Sequence, residues 1–225
     1  MIDPCTEYGL ALAIEDFVPV LLAGAGTVVL GLAAGRSLPA VRVPALLFGA
    51  LVTLGGFAKA TWKTLVAAEP CRDYPFLEHM LFPCLAFGFA GIAWALWGVR
   101  RGRTVPWAPF FVLPVLASVA ALLVGDTWPL LIVSAIAGVT VGVLALLQSK
   151  RHGDRIGVLL FVIYIVGILV LPPLGARPHQ SEGLQWIEQG TNSIVQLCFL
   201  LGALRIRARI TAPSERDPRP VGASS

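Results

Sequence analysis

The chain has 225 residues, 56% of them hydrophobic, with a mean hydropathy of +0.79 and only 13% charged residues. A soluble domain carries about 25% charged residues, so this chain cannot coat itself with polar groups, and a water-soluble globular protein is excluded. The net charge of +4 and pI near 9.1 come from short connecting segments rather than one basic face, so no nucleic-acid partner is expected.

Crossing a bilayer takes about 20 apolar residues. Seven stretches qualify, at residues 10–34, 43–67, 76–99, 107–124, 128–147, 156–174 and 184–206. Their apolar residues run on without period-two alternation, which predicts helices and not a barrel. The expected fold is an all-α integral membrane protein, a compact bundle of seven transmembrane helices in one domain over residues 1–210. Residues 211–225, rich in Pro, Ser and charge, are predicted to be a disordered cytoplasmic tail. Asp3 and Glu7 stand where a signal peptide would carry basic residues, so span one is expected to remain as a membrane helix.

The connections alternate in charge. Arg36 and Arg42 follow span one, Arg100, Arg101 and Arg103 span three, Lys150, Arg151 and Arg155 span five, and Arg205, Arg207 and Arg209 span seven. The other connections hold Glu69, Asp73, Asp126 and Glu182 with few basic residues. The positive-inside rule then predicts an outside N-terminus and a cytoplasmic C-terminus. Arg205, Arg207 and Arg209 are expected to meet anionic headgroups, with membrane lipids as partners. Cys5 and Cys71 share the outer side, where a disulfide is one of two open readings and a pair of separate thiols the other. Cys84 and Cys198 fall inside spans and read as packing residues. The 14 arginines against 3 lysines among 17 basic residues hint at a GC-rich prokaryotic genome and a prokaryotic plasma membrane.

In span one, Glu15 and Asp16 lie about two turns from the outer end. A charge in hydrocarbon costs roughly 2.5–3.5 kcal/mol on insertion scales, so each needs a partner or water. Adjacent helical residues point about 100° apart, so one of the two is expected to face Lys59. Pro19 here, Pro83 in span three and Pro114 in span four are expected to kink their helices. Paired glycines (Gly24 and Gly26, Gly55 and Gly56, Gly138 and Gly142) predict close helix packing. In span two, Lys59 and Lys63 are spaced i, i+4 and share a face, where like charges repel. Lys63 can snorkel outward. Lys59 lies too deep for that and predicts an ion pair or a ligand contact.

Span three opens with Glu78 and His79. His79 is a candidate base or metal ligand, although a histidine at a helix start is more often interfacial. Trp107, Trp128 and Trp186 lie near span ends and read as interfacial anchors. Span seven carries a polar stripe of Gln185, Glu188, Gln189, Asn192, Ser193 and Gln196. Glu188, Asn192 and Gln196 repeat at i, i+4, i+8 and share one face, which must turn inward because lipid cannot satisfy amides. Interhelical hydrogen bonding alone accounts for one or two such residues; three successive turns favour a polar cavity lining.

Glu15, Asp16, Lys59, Lys63, Glu78, His79, Glu188, Asn192 and Gln196 form the candidate ligand site, open to the outside and walled by spans one, two, three and seven. The expected function is to bind or transport a small polar or amphiphilic molecule, with proton coupling as an option. An intramembrane lipid hydrolase, metal-dependent or not, and a structural accessory subunit are the alternatives; no cofactor is specified. Span seven has no lysine for a retinal Schiff base, spans six and seven have no histidine for a zinc site, and no Pro-Gln dipeptide occurs. These absences set aside microbial rhodopsins, histidine-zinc intramembrane hydrolases and seven-helix sugar transporters.

Overall fold

A computed structural model describes residue 5, residues 9–175 and residues 181–211, with backbone only for 172–175 and 211. These residues are helical and contain no strand. The helices are α1 (Leu10–Glu15), α2 (Phe17–Ser37), α3 (Arg42–Ala67), α4 (Pro75–His79), α5 (Leu81–Arg101), α6 (Ala108–Val124), α7 (Trp128–Arg151), α8 (Arg155–Gly175) and α9 (Glu182–Thr211). The pairs α1/α2 and α4/α5 are each one apolar segment interrupted once, so the seven expected segments are present. Four of them, Leu10–Ser37, Pro39–Ala67, Pro75–Arg101 and Trp128–Arg151, are long and apolar enough to cross a membrane. The expected tail and His179 lie outside the described residues.

Six segments close a ring. Helix α2 packs on α3, α3 on α5, α5 on α7, α7 on α8, α8 on α9, and α9 returns to α2. Helix α6 stands outside this ring against α5 and α7, with only Pro114 and Ala117 buried and Leu122 and Leu123 almost fully exposed. Glycine faces let the ring close. A Cβ at Gly26 would lie 2.5 Å from the Phe199 ring, and one at Gly24 would lie 2.7 Å from the Thr53 hydroxyl. Phe199 is fully buried and stacks on Tyr164 at 4.6 Å between ring centroids. Small residues thus hold the place of a side chain wherever two helices touch. Trp107, Trp128 and Trp186 are exposed near helix starts, as their sequence positions predict.

The two ends differ. At one, Cys5 and Cys71 form a disulfide with Cα atoms 5.8 Å apart. At the other, the turn between α7 and α8 holds Asp154, whose carboxylate accepts three hydrogen bonds from Arg205 at 2.6, 2.8 and 3.1 Å. It also accepts the backbone N–H of Gly157 in the first turn of α8. Arg205, expected to meet headgroups together with Arg207 and Arg209, also has an internal partner, while 35% of its side chain stays exposed. It is pinned inward because Asp154 is only 3% exposed, and a buried carboxylate needs a cation. The Arg205 hydrogen bonds hold the Asp154 carboxyl below the usual carboxylate range, against the opposing effect of its burial.

That shift sets a pH dependence. A lowered folded-state pKa contributes stability that is complete above the unfolded value, about 3.9, and disappears as pH falls through the folded value. Asp154→Asn should melt below wild type at pH 7, and the gap should close below about pH 4; an unchanged gap there would contradict the lock. Gly26→Ala should lower the melting temperature through a clash with Phe199, an overpacking cost of roughly 1–3 kcal/mol, measured as thermal unfolding in detergent.

Candidate functional site

Two prolines shape the site. Pro19 has no N–H to donate to the carbonyl of Glu15, and its ring crowds that carbonyl. The helix is interrupted there, with α1 ending at Glu15 and α2 resuming at Phe17. Pro83 stands in the same relation to His79, the last residue of α4, and α5 resumes at Leu81. Pro114 lies within an unbroken α6. The two interruptions coincide with the polar pairs Glu15/Asp16 and Glu78/His79, so the acids stand where the ladder is already open.

Helix α3 runs straight past both interruptions and presents its two lysines to them. Lys63 Nζ meets Asp16 Oδ2 at 2.6 Å, and Lys59 Nζ meets Glu78 Oε1 at 2.9 Å. The expectation that Lys59 pairs with Glu15 or Asp16 is corrected: Asp16 goes to Lys63, and Lys59 takes its partner from α4. Side by side on one face, the two ammonium groups repel, and separate carboxylates from separate helices relieve that repulsion better than one shared acid. The Asp16–Lys63 pair is the more deeply buried of the two.

Lys59 has a second support that sequence reasoning missed. Its Nζ sits 4.5 Å from the centre of the Trp62 ring, within cation–π range. Trp62 is itself 3% exposed and donates its indole N–H to Asp73 Oδ1 at 2.8 Å. The i, i+3 spacing of Lys59 and Trp62 was the available signal. The connection between α3 and α4 is thus fastened to the lysine face from above.

On the other side, α9 meets α1. Ser193 Oγ donates to Glu15 Oε1 at 2.7 Å, and Gln189, one turn earlier, is the most buried residue of the polar stripe at 7% exposure. The face of α9 turned most fully inward is therefore Gln189/Ser193, about 100° around from the Glu188/Asn192/Gln196 face expected from strict i, i+4, i+8 spacing. Those three are half-buried, and Gln196 Nε2 donates to Asn192 Oδ1 at 3.4 Å within the helix. The longer repeat is the more regular in sequence, but the packing of α9 on α1 and α2 turns its neighbour inward.

Polar contacts therefore cross all four expected spans: α9 to α1 through Ser193 and Glu15, α1/α2 to α3 through Asp16 and Lys63, and α3 to α4 through Lys59 and Glu78. Hydrogen-bonding capacity is left over. Glu15 Oε2 and Gln189 Nε2 are buried and make no hydrogen bond among the described residues, an arrangement rare in folded proteins and costly unless something answers it. His79 is exposed and is not drawn into this network. His152 lies at the opposite end, 3.1 Å from Gln148. Among the described residues no group of three or more His, Cys, Asp or Glu is placed to hold a metal. Two cavities lie elsewhere, an apolar one of about 170 Å³ between α5, α6 and α7 and another of about 350 Å³ at the arginine-rich end.

Comparison with protein-family models, curated proteins and solved structures finds no match to this chain, so the site is read from its own chemistry.

The ion-pair assignment makes a direct prediction. Lys63→Met should destabilise by more than the ~0.5 kcal/mol of an exposed pair, toward the roughly 3–5 kcal/mol of a broken buried one. Combining it with Asp16→Asn should recover most of that loss. Chemical denaturation of the single and double variants gives the coupling energy; simple additivity would break the assignment.

Proposed function

We propose that the chain is an integral membrane protein, N-terminus outside and C-terminus cytoplasmic, that binds or transports a small zwitterionic or amphiphilic molecule. The polar site lies in the half of the bundle nearer the disulfide. The apolar lengths of the helices, the exposed tryptophans at helix starts and the segregation of arginines to one end support the membrane setting. The arginine-to-lysine ratio favours a prokaryotic plasma membrane.

The observation that carries the reading is the unused capacity at Glu15 Oε2 and Gln189 Nε2. Ser149 Oγ and Tyr164 Oη, away from this site, are also buried without a hydrogen-bond partner among the described residues, but only Glu15 and Gln189 offer an acceptor and a donor together in a polar network with two ion pairs, the combination that suits a polar ligand. Lys59 supplies the positive pole. Its partner Glu78 is the most exposed member of the two pairs, so an incoming carboxylate or phosphate competes with a group already in contact with solvent. Glu15, which has no ion-pair partner among the described residues, supplies the negative pole and is the carboxylate at which proton coupling is tested. Asp16 is held by Lys63 and does not exchange. Ser193 and Gln189 orient the ligand, with Glu188, Asn192 and Gln196 bordering them on the adjacent face.

A thermal-shift panel of zwitterionic amino acids and lysolipids on purified protein tests this. At least one compound should stabilise wild type; Lys59→Met should lose that response, although it melts below wild type without ligand because Glu78 loses its partner, and Glu182→Gln should keep it. A stabilising compound that acts equally on Lys59→Met would sink the assignment. For that compound, uptake driven by a proton gradient in proteoliposomes should vanish in Glu15→Gln.

A further inference from the structure

Arg36, Arg42 and Arg207 converge at the end of the bundle opposite the disulfide. Together with Leu32 and Gly35 they line the cavity of about 350 Å³. They come from three helices: Arg36 from the last turn of α2, Arg42 from the first residue of α3, and Arg207 from near the end of α9. A single 3-10 turn, Pro39–Val41, brings the first two together. The cavity depends on Gly35, because a Cβ there would collide with the Arg42 side chain. The absence of a Cβ at Gly35 lets the Arg42 stem pack against α2.

No acidic residue lines the cavity, and Arg36 and Arg42 make no ion pair among the described residues. Arg36 alone has an ordinary explanation, since a cation in the last turn of a helix suits its dipole. Arg42 has the opposite placement. It begins α3, where the dipole disfavours a cation, and that helix has no side-chain cap and no acid in its first turn. An anion in the cavity would answer both the uncapped helix start and the guanidinium groups. Planar guanidinium forks suit a phosphate, whose oxygens accept paired N–H bonds, better than a point charge would.

We infer that Arg36, Arg42 and Arg207 form a phosphate-binding site at the cytoplasmic end of the bundle. Leu32 at the base of the cavity accommodates apolar atoms beside the phosphate. The ligand is either the phosphodiester of an anionic lipid, its chains lying along the apolar exterior of α2 and α9, or a soluble phosphate compound. The site is separate from the polar site near the disulfide, and neither reading depends on the other.

Native mass spectrometry from mixed micelles of phosphatidylglycerol and phosphatidylcholine, with thermal shift in inorganic phosphate, tests the inference and separates the two sources. Wild type that retains phosphatidylglycerol over phosphatidylcholine, with retention falling at least about tenfold in R36Q/R42Q, identifies a lipid. Stabilisation by inorganic phosphate that is lost in R36Q/R42Q identifies a soluble ligand. R100Q/R101Q removes equal charge at another helix end, away from the cavity, and should leave both readouts unchanged. If wild type shows neither preference nor stabilisation, the inference fails without recourse to any variant. If R100Q/R101Q loses as much as R36Q/R42Q, binding is a property of total charge and the inference also fails.

Discussion

An ammonium group inside an apolar bundle must be met by a carboxylate, and helix α3 carries two ammonium groups on one face. Everything at the disulfide end of the molecule follows from that requirement. Lys59 and Lys63 cannot share an acid comfortably, because each would still face the other across a few ångströms. Helix α1 delivers Asp16 to the first turn of need and α4 delivers Glu78 to the second. The order of neighbours around α3 is therefore dictated by charge as well as by the fit of small residues. Trp62 adds a polarisable face beneath Lys59, so that ammonium is enclosed by an aromatic ring and a carboxylate rather than by hydrocarbon.

Much of this was legible in the residues. The apolar runs give the seven segments to within a few residues, since hydrocarbon thickness imposes a length that composition reveals directly. The charged positions likewise stood out, because each is an exception to its surroundings. The partners were not legible. Whether Asp16 faces Lys59 or Lys63 depends on the rotation of α1 about its axis and its height against α3, and neither is encoded in local pattern. The same ambiguity affected α9, where Gln189/Ser193 and Glu188/Asn192/Gln196 are both regular and only packing chooses between them. The pairing of Arg205 was hidden for a different reason. A basic run at a helix end reads as a headgroup anchor, and the single buried Asp154 that captures one member of it lies 51 positions away in the chain.

The two ends of the bundle handle charge by different means. Near the disulfide, opposite charges from three segments and a hydroxyl from a fourth are mostly answered from within, leaving one acceptor on Glu15 and one donor on Gln189. At the arginine end, one pair is sealed between Asp154 and Arg205, while Arg36 and Arg42 converge without a carboxylate. On the proposed reading, the first arrangement can exchange an internal partner for an external one, and the second offers like charges to an anion.

The interruptions at Asp16 and Met80 also have a mechanical meaning. Each leaves a short helical arm, α1 or α4, joined to a long helix through a proline joint, and an ion pair to α3 holds each break, from Asp16 at the α1/α2 joint and from Glu78 in α4. Cys5 precedes α1 and Cys71 precedes α4, so the disulfide ties the two arms together at their tips. An arm released from its lysine cannot swing alone, because its motion is transmitted through the covalent tether to the other. The pair behaves as a single yoke over the lysine face, and reduction of one bond would convert it into two independent levers.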